Sequence, residues 1–484
     1  MATSVHVAET TSEFPRSAGG ELGRYLARAL ASGEKLFDFV TVIVALCVAN
    51  ALSAALRPHA AVSRDRSLLS LATAGFALVF VFLLERHGGY RPCLSLLAIR
   101  ETERVLRVTL QAFSLALVTA FLCHAGASRL TIISAVALVP LFLTLEKWQV
   151  HGLLCHLRSR GFATQRAVIA GTGSAARRIY TSLIGSPKFG IEPVAFVEED
   201  PSASTTEIYE CSYHRKHSAK VLPGPVSPEL LRQLSASVLV IADPAMPRDA
   251  LLLTMTEAAA MGVTTYFAAE DFIAPGFWVD YAELDGIMLA HFSHGATRTV
   301  YEAGKRLLDI AASAMLIALL APIAAVIATL VRKTSTGPVL FRQQRVGKAG
   351  RPFTMYKFRT MYEEAPRYGY SPGQDDDPRI TPIGRFLRRT SLDEFPQLFN
   401  VLLGQMSLVG PRPEMPFIVE QYTPMQRERL SVKPGMTGLW QISADRAFLI
   451  HENMEYDLYY VRHRSLFMDI AILLHTLLFA ARGI

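Results

Sequence analysis

Asp393 and Glu394 are adjacent carboxylates in the run Arg388-Arg389-Thr390-Ser391-Leu392-Asp393-Glu394-Phe395-Pro396-Gln397. Ser391 followed three residues later by Glu394 reads as a capping box opening a helix. Pro396 then falls in the first turn, where a missing N–H costs little. If Asp393 is the cap instead, the start moves by a residue or two. Either start puts the carboxylates at a helix N-terminus, a site suited to phosphate. The plainer alternative is that Glu394 only caps and Arg388 only pairs with Asp393. The surroundings favour chemistry. Lys357 and Arg359 stand in Met355-Tyr356-Lys357-Phe358-Arg359-Thr360-Met361, Arg412 in Gly410-Pro411-Arg412-Pro413, and a glycine-rich turn at Lys433-Pro434-Gly435-Met436-Thr437-Gly438. Carboxylates, a lysine, arginines and glycine turns in one segment suit a polyphosphate substrate.

The elements that position these residues sit in a chain of 484 residues, 51% hydrophobic, with net charge +7. That length allows two or three domains. The basic excess flanks apolar runs, which points to anionic lipid and anionic substrates and away from nucleic acid. Five scattered cysteines give no disulfide framework. Cys211, His214 and His217 lack a fourth metal ligand. Residues 1–35 are polar and read as a flexible N-terminal segment without a cleavable signal.

Four apolar runs follow within 36–146, at about 36–56, 68–84, 108–123 and 130–145. Spanning needs about 20 residues. Lysines and arginines concentrate before the first run, between the second and third, and after the fourth. This predicts four transmembrane helices with both ends cytoplasmic. From residue 160 to 275 the period changes to that of an α/β domain. Arg166–Ala170 reads as a buried strand, and Gly171-Thr172-Gly173-Ser174-Ala175-Ala176 as a turn of the GxGxxA type. Gly171 and Gly173 are therefore candidate nucleotide-binding positions, with a regulatory or assembly role preferred for the domain. Residues 276–300 read as a connector. The run 307–331 is long enough to span, yet Lys305-Arg306 precede it and Arg332-Lys333 follow it. Pro322 removes a helix hydrogen bond in its middle. The consistent reading is a re-entrant helix that breaks at Ala321-Pro322 and returns to the same side, with Arg306 and Asp309 free to pair. The last apolar run, interrupted by Asp469 and His475, reads as an interfacial helix.

Residues 301–484 closely resemble the bacterial monotopic phosphoglycosyl transferases. With the preceding chain the sequence resembles their long form, the polyprenyl-phosphate hexose-1-phosphate transferases. The motifs carrying the resemblance are those around Lys357, Asp393, Arg412 and Gly435. It implies a multi-pass protein of the bacterial inner membrane, its catalytic domain on the cytoplasmic face. The fold it implies is an N-terminal four-helix transmembrane bundle, a Rossmann-like α/β domain and a catalytic domain with a re-entrant helix. The implied reaction takes a UDP-sugar, with Mg²⁺ as cofactor, and passes hexose 1-phosphate to undecaprenyl phosphate. Asp393 is the implied nucleophile, Glu394 the magnesium ligand, and Arg388, Arg412, Lys357 and Arg359 the phosphate or nucleotide contacts. A homodimer through the α/β domain is compatible with this reading. The chain has Ser443-Ala444-Asp445-Arg446 where many members have Ser-Gly-Arg, so no sugar preference follows from that loop. Two other readings compete: a nucleotide-sensing membrane scaffold, and a nicotinamide-dependent dehydratase using Tyr301-x-x-x-Lys305.

Overall fold

The computed structural model describes residues 20–56, 66–90, 98–122, 129–159, 164–185, 190–198, 207–212, 215–243, 245–268, 277–284, 287–294, 299–365, 377–442 and 455–480. The chain divides into two units, Met1–Ala274 and Pro275–Ile484.

The first unit opens with four helices, α1 (Gly20–Ala55), α2 (Arg66–Arg86), α3 (Ala98–Leu122) and α4 (Arg129–Ser159). They form a bundle around Val42, Ala45, Phe80, Val105, Val139 and Leu143. Its outer face is apolar as well, with Leu71, Leu78, Leu117 and Phe121 exposed. A helix apolar on both sides is suited to lipid, not to water. Ser32–Ala55, Ile99–Leu122 and Arg129–Val150 are long and apolar enough to cross a membrane, as is Thr299–Thr334 in the second unit. The protein is thus a membrane protein of mixed helix and sheet. Two charges that the sequence reading counts as membrane flanks are ion-paired inside the unit. Lys147 is buried, with its Nζ 2.6 Å from Glu34 Oε1 and 2.8 Å from Asp38 Oδ2. Lys35 pairs with Glu85.

The same unit continues as β1 (Gln165–Ala170), α5 (Ser174–Gly185), β2 (Ile191–Glu198), β3 (Glu207–Ser212), β4 (Arg215–Pro223), α6 (Pro228–Gln233), β5 (Val238–Ile241), α7 (Arg248–Ala260) and β6 (Thr264–Phe267). The strands form one sheet in the order β3-β4-β2-β1-β5-β6. Only β3 runs antiparallel to its neighbour. Successive residues of β1 enter opposite cores, Ala167 and Ile169 on one face, Val168 and Ala170 on the other. Burial on both faces is why this strand reads as an unbroken apolar run. The β3–β4 hairpin runs through the stretch around Cys211, where the sequence suggests no strand.

The second unit begins with the hairpin β7 (Phe277–Leu284) and β8 (Ile287–His294), where the sequence suggests only a connector. Next come α8 (Thr299–Thr334), the antiparallel hairpin β9 (Leu340–Val346) and β10 (Pro352–Phe358), α9 (Pro382–Thr390) and a 3-10 turn at Leu392–Glu394. The remainder is α10 (Gln397–Leu402), β11 (Ser407–Val409), α11 (Pro416–Glu420), α12 (Pro424–Arg427), β12 (Gly435–Thr437), α13 (Glu455–His463) and α14 (Leu466–Ala480). The helix α8 runs uninterrupted through Pro322, so the expected break there is not a gap in the helix. Nor do Arg306 and Asp309 pair. Arg306 donates to the Val401 and Leu402 carbonyls at the end of α10, at 2.7 and 2.8 Å. Asp309 accepts from Leu408 N at 3.0 Å and Ser407 Oγ at 3.1 Å. Two backbone carbonyls, the Leu408 N–H and the buried Ser407 hydroxyl outcompete the ion pair because each is otherwise left unsatisfied away from water. On α14, Asp469 is fully buried and accepts from Tyr301 (2.9 Å), Tyr460 (2.7 Å) and Lys305 (2.9 Å). The charge that interrupts the last apolar run is therefore the peg that docks it, while Leu477 and Leu478 stay exposed.

Candidate active site

The site is built by three elements. The hairpin β9–β10 puts residues 341, 343 and 345 on the same face as 353, 355 and 357, because side chains alternate and Lys357 lies opposite Phe341. The helix α9 starts at Thr381, whose hydroxyl accepts from Gly384 N at 3.0 Å, and ends at Ser391. Ser391 has φ 55, a left-handed conformation uncommon outside glycine. That reversal turns the chain into the 3-10 turn carrying Asp393 and Glu394.

The expected capping box does not form. Ser391 makes no side-chain cap, and Glu394 is drawn instead to Lys357, its Oε1 2.6 Å from Nζ. A bond between two full charges outweighs a neutral cap. The carboxylates consequently stand in a three-residue turn between helices and not at the N-terminus of a long one. Their environments differ. Asp393 is 8% exposed and forms no ion pair among the described residues. Burial, with Glu394 adding to it, pushes its carboxyl up to about 6 against the opposing pull of Lys357 and Arg388. Burial also pushes Glu394 upward, but Lys357, then Arg412, more than reverse this and hold it below the usual glutamate value.

Asp393 opens onto a cavity of about 640 Å³ walled by Lys357, Arg359, Arg388 and Arg412. This is the size range of small-molecule sites. Glu394 faces a neighbouring small recess that Lys357, Arg412 and Gln397 also line. The six residues singled out in the sequence thus converge. The structure adds Arg342, Arg345 and Arg379, which the sequence reading missed. The signal for Arg345 was available, since it is two residues from Gln343 on a strand whose alternate positions face Lys357. Arg379 is held by Asp377 across two bonds at 2.7 and 2.9 Å. Arg359 is buried, and its Nη2 donates to Ser335 O (2.9 Å) and Oγ (2.8 Å) at the end of α8. Its Nε and Nη1 have no partner among the described residues. Arg412 lies over the Trp440 ring, 5.9 Å from its centroid. Its carbonyl accepts from Arg429 at 3.0 Å, and Arg429 is itself buried against Asp457 at 2.7 Å. The cavity wall carries many more cations than carboxylates, so a multiply charged anion is the ligand it can hold.

Other candidate positions fare differently. Gly171 has φ +98, and a Cβ there would stand 3.0 Å from the Ala242 carbonyl. Glu198, placed where an acid would meet a ribose, accepts from the Thr172 hydroxyl in the same turn. Tyr301 and Lys305 are both engaged with Asp469, so the pattern shared with dehydratases serves packing in the second unit. The Ser443–Arg446 loop and the side chains of Cys211, His214 and His217 lie outside the described residues.

Comparison with known proteins gives matches over the segment that holds this site. Residues 300–483 match the bacterial sugar transferase family. A UDP-glucose:undecaprenyl-phosphate glucose-1-phosphate transferase of Klebsiella pneumoniae is 41% identical over 202 residues, covering 40% of this chain and 43% of that protein. An uncharacterized sugar transferase of Bacillus subtilis is 43% identical over 169 residues, 35% of this chain and 83% of that one. The undecaprenyl-phosphate galactose phosphotransferase of Salmonella typhimurium is 30% identical over 365 residues, 71% of this chain and 72% of its own length. The match therefore spans less than half of the Klebsiella protein but most of the Salmonella one. The cation-walled cavity around buried Asp393 lies inside the matched segment of this membrane protein, and the chain belongs to the bacterial sugar transferase family.

Proposed function

We propose that the protein transfers hexose 1-phosphate from a UDP-hexose, glucose or galactose, to undecaprenyl phosphate, yielding undecaprenyl-diphosphate-hexose and UMP. This would be the first membrane step of an exopolysaccharide, capsule or O-antigen. The observation that carries the reading is Asp393, buried and unpaired on the wall of a cavity lined by Lys357, Arg388 and Arg412. The relatives named for glucose and galactose transfer support the substrate class.

In the first step an Asp393 carboxylate oxygen attacks the β-phosphorus. The bond from that phosphorus to the bridging oxygen breaks, UMP departs, and a sugar-phosphoryl aspartate remains. In the second step an oxygen of the lipid phosphate attacks the same phosphorus and restores the carboxylate. Asp393 needs no general base when ionised. The difficulty is an anion attacking an anion, and Arg388, Arg412 and Lys357 reduce it by neutralising the diphosphate. The residues fit a Mg²⁺ ion. Glu394 spends one oxygen on Lys357, its other oxygen and both of Asp393 are in no ion pair among the described residues, and magnesium commonly takes one or two carboxylates with substrate phosphates. Glu394 would hold it, and bound there it would supply further neutralisation of the diphosphate.

The helix α8 is proposed to enter the membrane and return to the same face. Both its arms support this. Arg306 and Asp309 bond to 401–408, while Ile327 and Val331 pack with Phe358 and Leu387 in a cluster extended by Leu392 and Phe395. Asp309 and Val331 would stand about 33 Å apart on a straight helix. Bending at Pro322 lets both reach one compact segment, and basic residues at both ends agree with a single cytoplasmic side.

The test is UMP release from a panel of UDP-sugars with undecaprenyl phosphate and Mg²⁺, beside Asp393→Asn. Release from one sugar, abolished in the variant, is expected. Release undiminished by Asp393→Asn would reject the covalent mechanism, and folded protein inactive on every donor would reject the UDP-sugar reading.

A further inference from the structure

At the start of α8, away from the catalytic cavity, cations outnumber carboxylates. Arg306 and Lys433 flank Gly404 at the end of α10. A Cβ added to Gly404 would stand 3.3 Å from Arg306 Nη2 and 3.6 Å from Lys433 Nζ. Arg306 has a full complement of work, capping the Val401 and Leu402 carbonyls. Lys433 does not. It is partly buried, yet its ammonium makes no hydrogen bond or ion pair among the described residues. Burial first, then the neighbouring Arg306, draw its pKa below the usual lysine value. Lys348, at the tip of the β9–β10 hairpin, adds a third cation, and Arg464 a fourth. Against them stand two carboxylates. Glu302 is shared loosely between Lys348 at 3.7 Å and Arg464 at 3.8 Å. Asp309 is committed to Ser407 and Leu408.

A half-buried lysine beside an arginine, offset only in part by one carboxylate bonded elsewhere and another shared between two further cations, is unfavourable unless a ligand supplies more negative charge. The neighbours indicate what kind of ligand. Leu307, next to Arg306, is 70% exposed, and Leu403, next to Gly404, is 68% exposed. Beyond them α8 presents Met315 and Leu319 unburied, in the helix long and apolar enough to cross a membrane. A cationic socket at the foot of an uncovered apolar helix matches a molecule with a phosphate at one end and hydrocarbon at the other. None of Arg306, Lys348 and Lys433 lines the catalytic cavity.

We infer that Lys433, with Arg306 and Lys348, forms a binding site for the headgroup phosphate of a bilayer phospholipid whose chains run along α8. This lipid is distinct from the reaction's substrates and fixes the depth at which the second unit sits on the bilayer. The site does not rest on the proposed reaction, since any enzyme with this helix and these cations would have it.

The test uses the full-length protein in neutral detergent, with thermal unfolding followed during titration of dihexanoylphosphatidylglycerol. Matched titrations use dihexanoylphosphatidylcholine, inorganic phosphate and undecaprenyl phosphate. Near tenfold excess over the dissociation constant, phosphatidylglycerol is expected to raise the midpoint by about 3–5 °C. Lys433→Gln should weaken that response about tenfold, and Lys433→Arg should keep it. Lys348→Gln gives a second, milder loss on an exposed hairpin tip should Lys433→Gln fold poorly. Equal responses of wild type and both glutamine variants would overturn the site. A shift reproduced by inorganic phosphate at the same concentration would show a free-anion site and overturn the lipid assignment. A Lys433-dependent response confined to undecaprenyl phosphate would make this part of the acceptor site and likewise overturn it.

Discussion

At the scale of single residues, the two neighbouring carboxylates have been driven apart in character. Lys357 takes Glu394 and keeps it ionised, whereas Asp393 is left buried with a pKa of about 6. The folded value lies above the ordinary aspartate value near 3.9. Ionising Asp393 therefore costs stability as pH rises from about 4 to 6, and the protein carries that cost at neutral pH. Asp393→Asn should abolish transfer yet stabilise the protein at pH 8 by up to about 3 kcal/mol, the difference vanishing below about pH 4. Paired denaturation curves at the two pH values check this, and a variant less stable than wild type at pH 8 would contradict it. On the proposed mechanism the carboxylate is the reactive form, so kcat/KM should fall as pH drops through about 6. Lys357→Gln removes the largest charge that lowers the Asp393 value. Its acid limb should move to higher pH, with activity reduced about 10²-fold. A profile that keeps its position would mean that Lys357 does not set the Asp393 charge.

At the scale of elements, α9 is placed by contact and not by propensity. A Cβ on Gly384 would fall 2.0 Å from the Thr360 carbonyl, so this helix approaches the end of β10 closer than any side chain permits. Gly384→Ala should cost about 3 kcal/mol and pull Arg388 off the cavity wall, raising KM more than it lowers kcat. An unchanged melting temperature would show that the contact yields easily. In the helical bundle, Lys147 joins α4 to Glu34 and Asp38 of α1. Lys147→Met leaves two carboxylates without their cation inside the bundle. It should destabilise the protein by about 3–5 kcal/mol, read as detergent-dependent loss of folded protein at size exclusion.

At the scale of the whole molecule, the family match covers 300–483 within the second unit, and a relative from Bacillus subtilis matches over 83% of its own length. A fragment of residues 299–484 should therefore keep Asp393-dependent UMP release. Folded fragment with no release would assign the first unit an indispensable part in the chemistry.

The sequence alone determined which residues carry charge and where apolar runs lie. The pair at 393–394, the arginine turn around Arg412 and the long run after Arg306 were legible because they are local patterns with a fixed chemical meaning. The buried strand β1 was legible for the same reason, as four successive apolar residues facing two cores. Tertiary structure decided the partners. Asp309 chose the Leu408 N–H and the Ser407 hydroxyl over Arg306, Glu394 chose Lys357 over a cap, Lys147 left the flank for α1, and Asp469 became a peg for α14. Each choice is a competition between groups 37 to 164 residues apart, settled for Asp309, Lys147 and Asp469 by burial and for Glu394 by the stronger bond between two full charges. The β3–β4 hairpin was hidden for another reason, since β3 pairs with the strand that directly follows it but carries no apolar alternation to announce it, and the left-handed Ser391 was hidden because nothing in its residue type demands a positive φ.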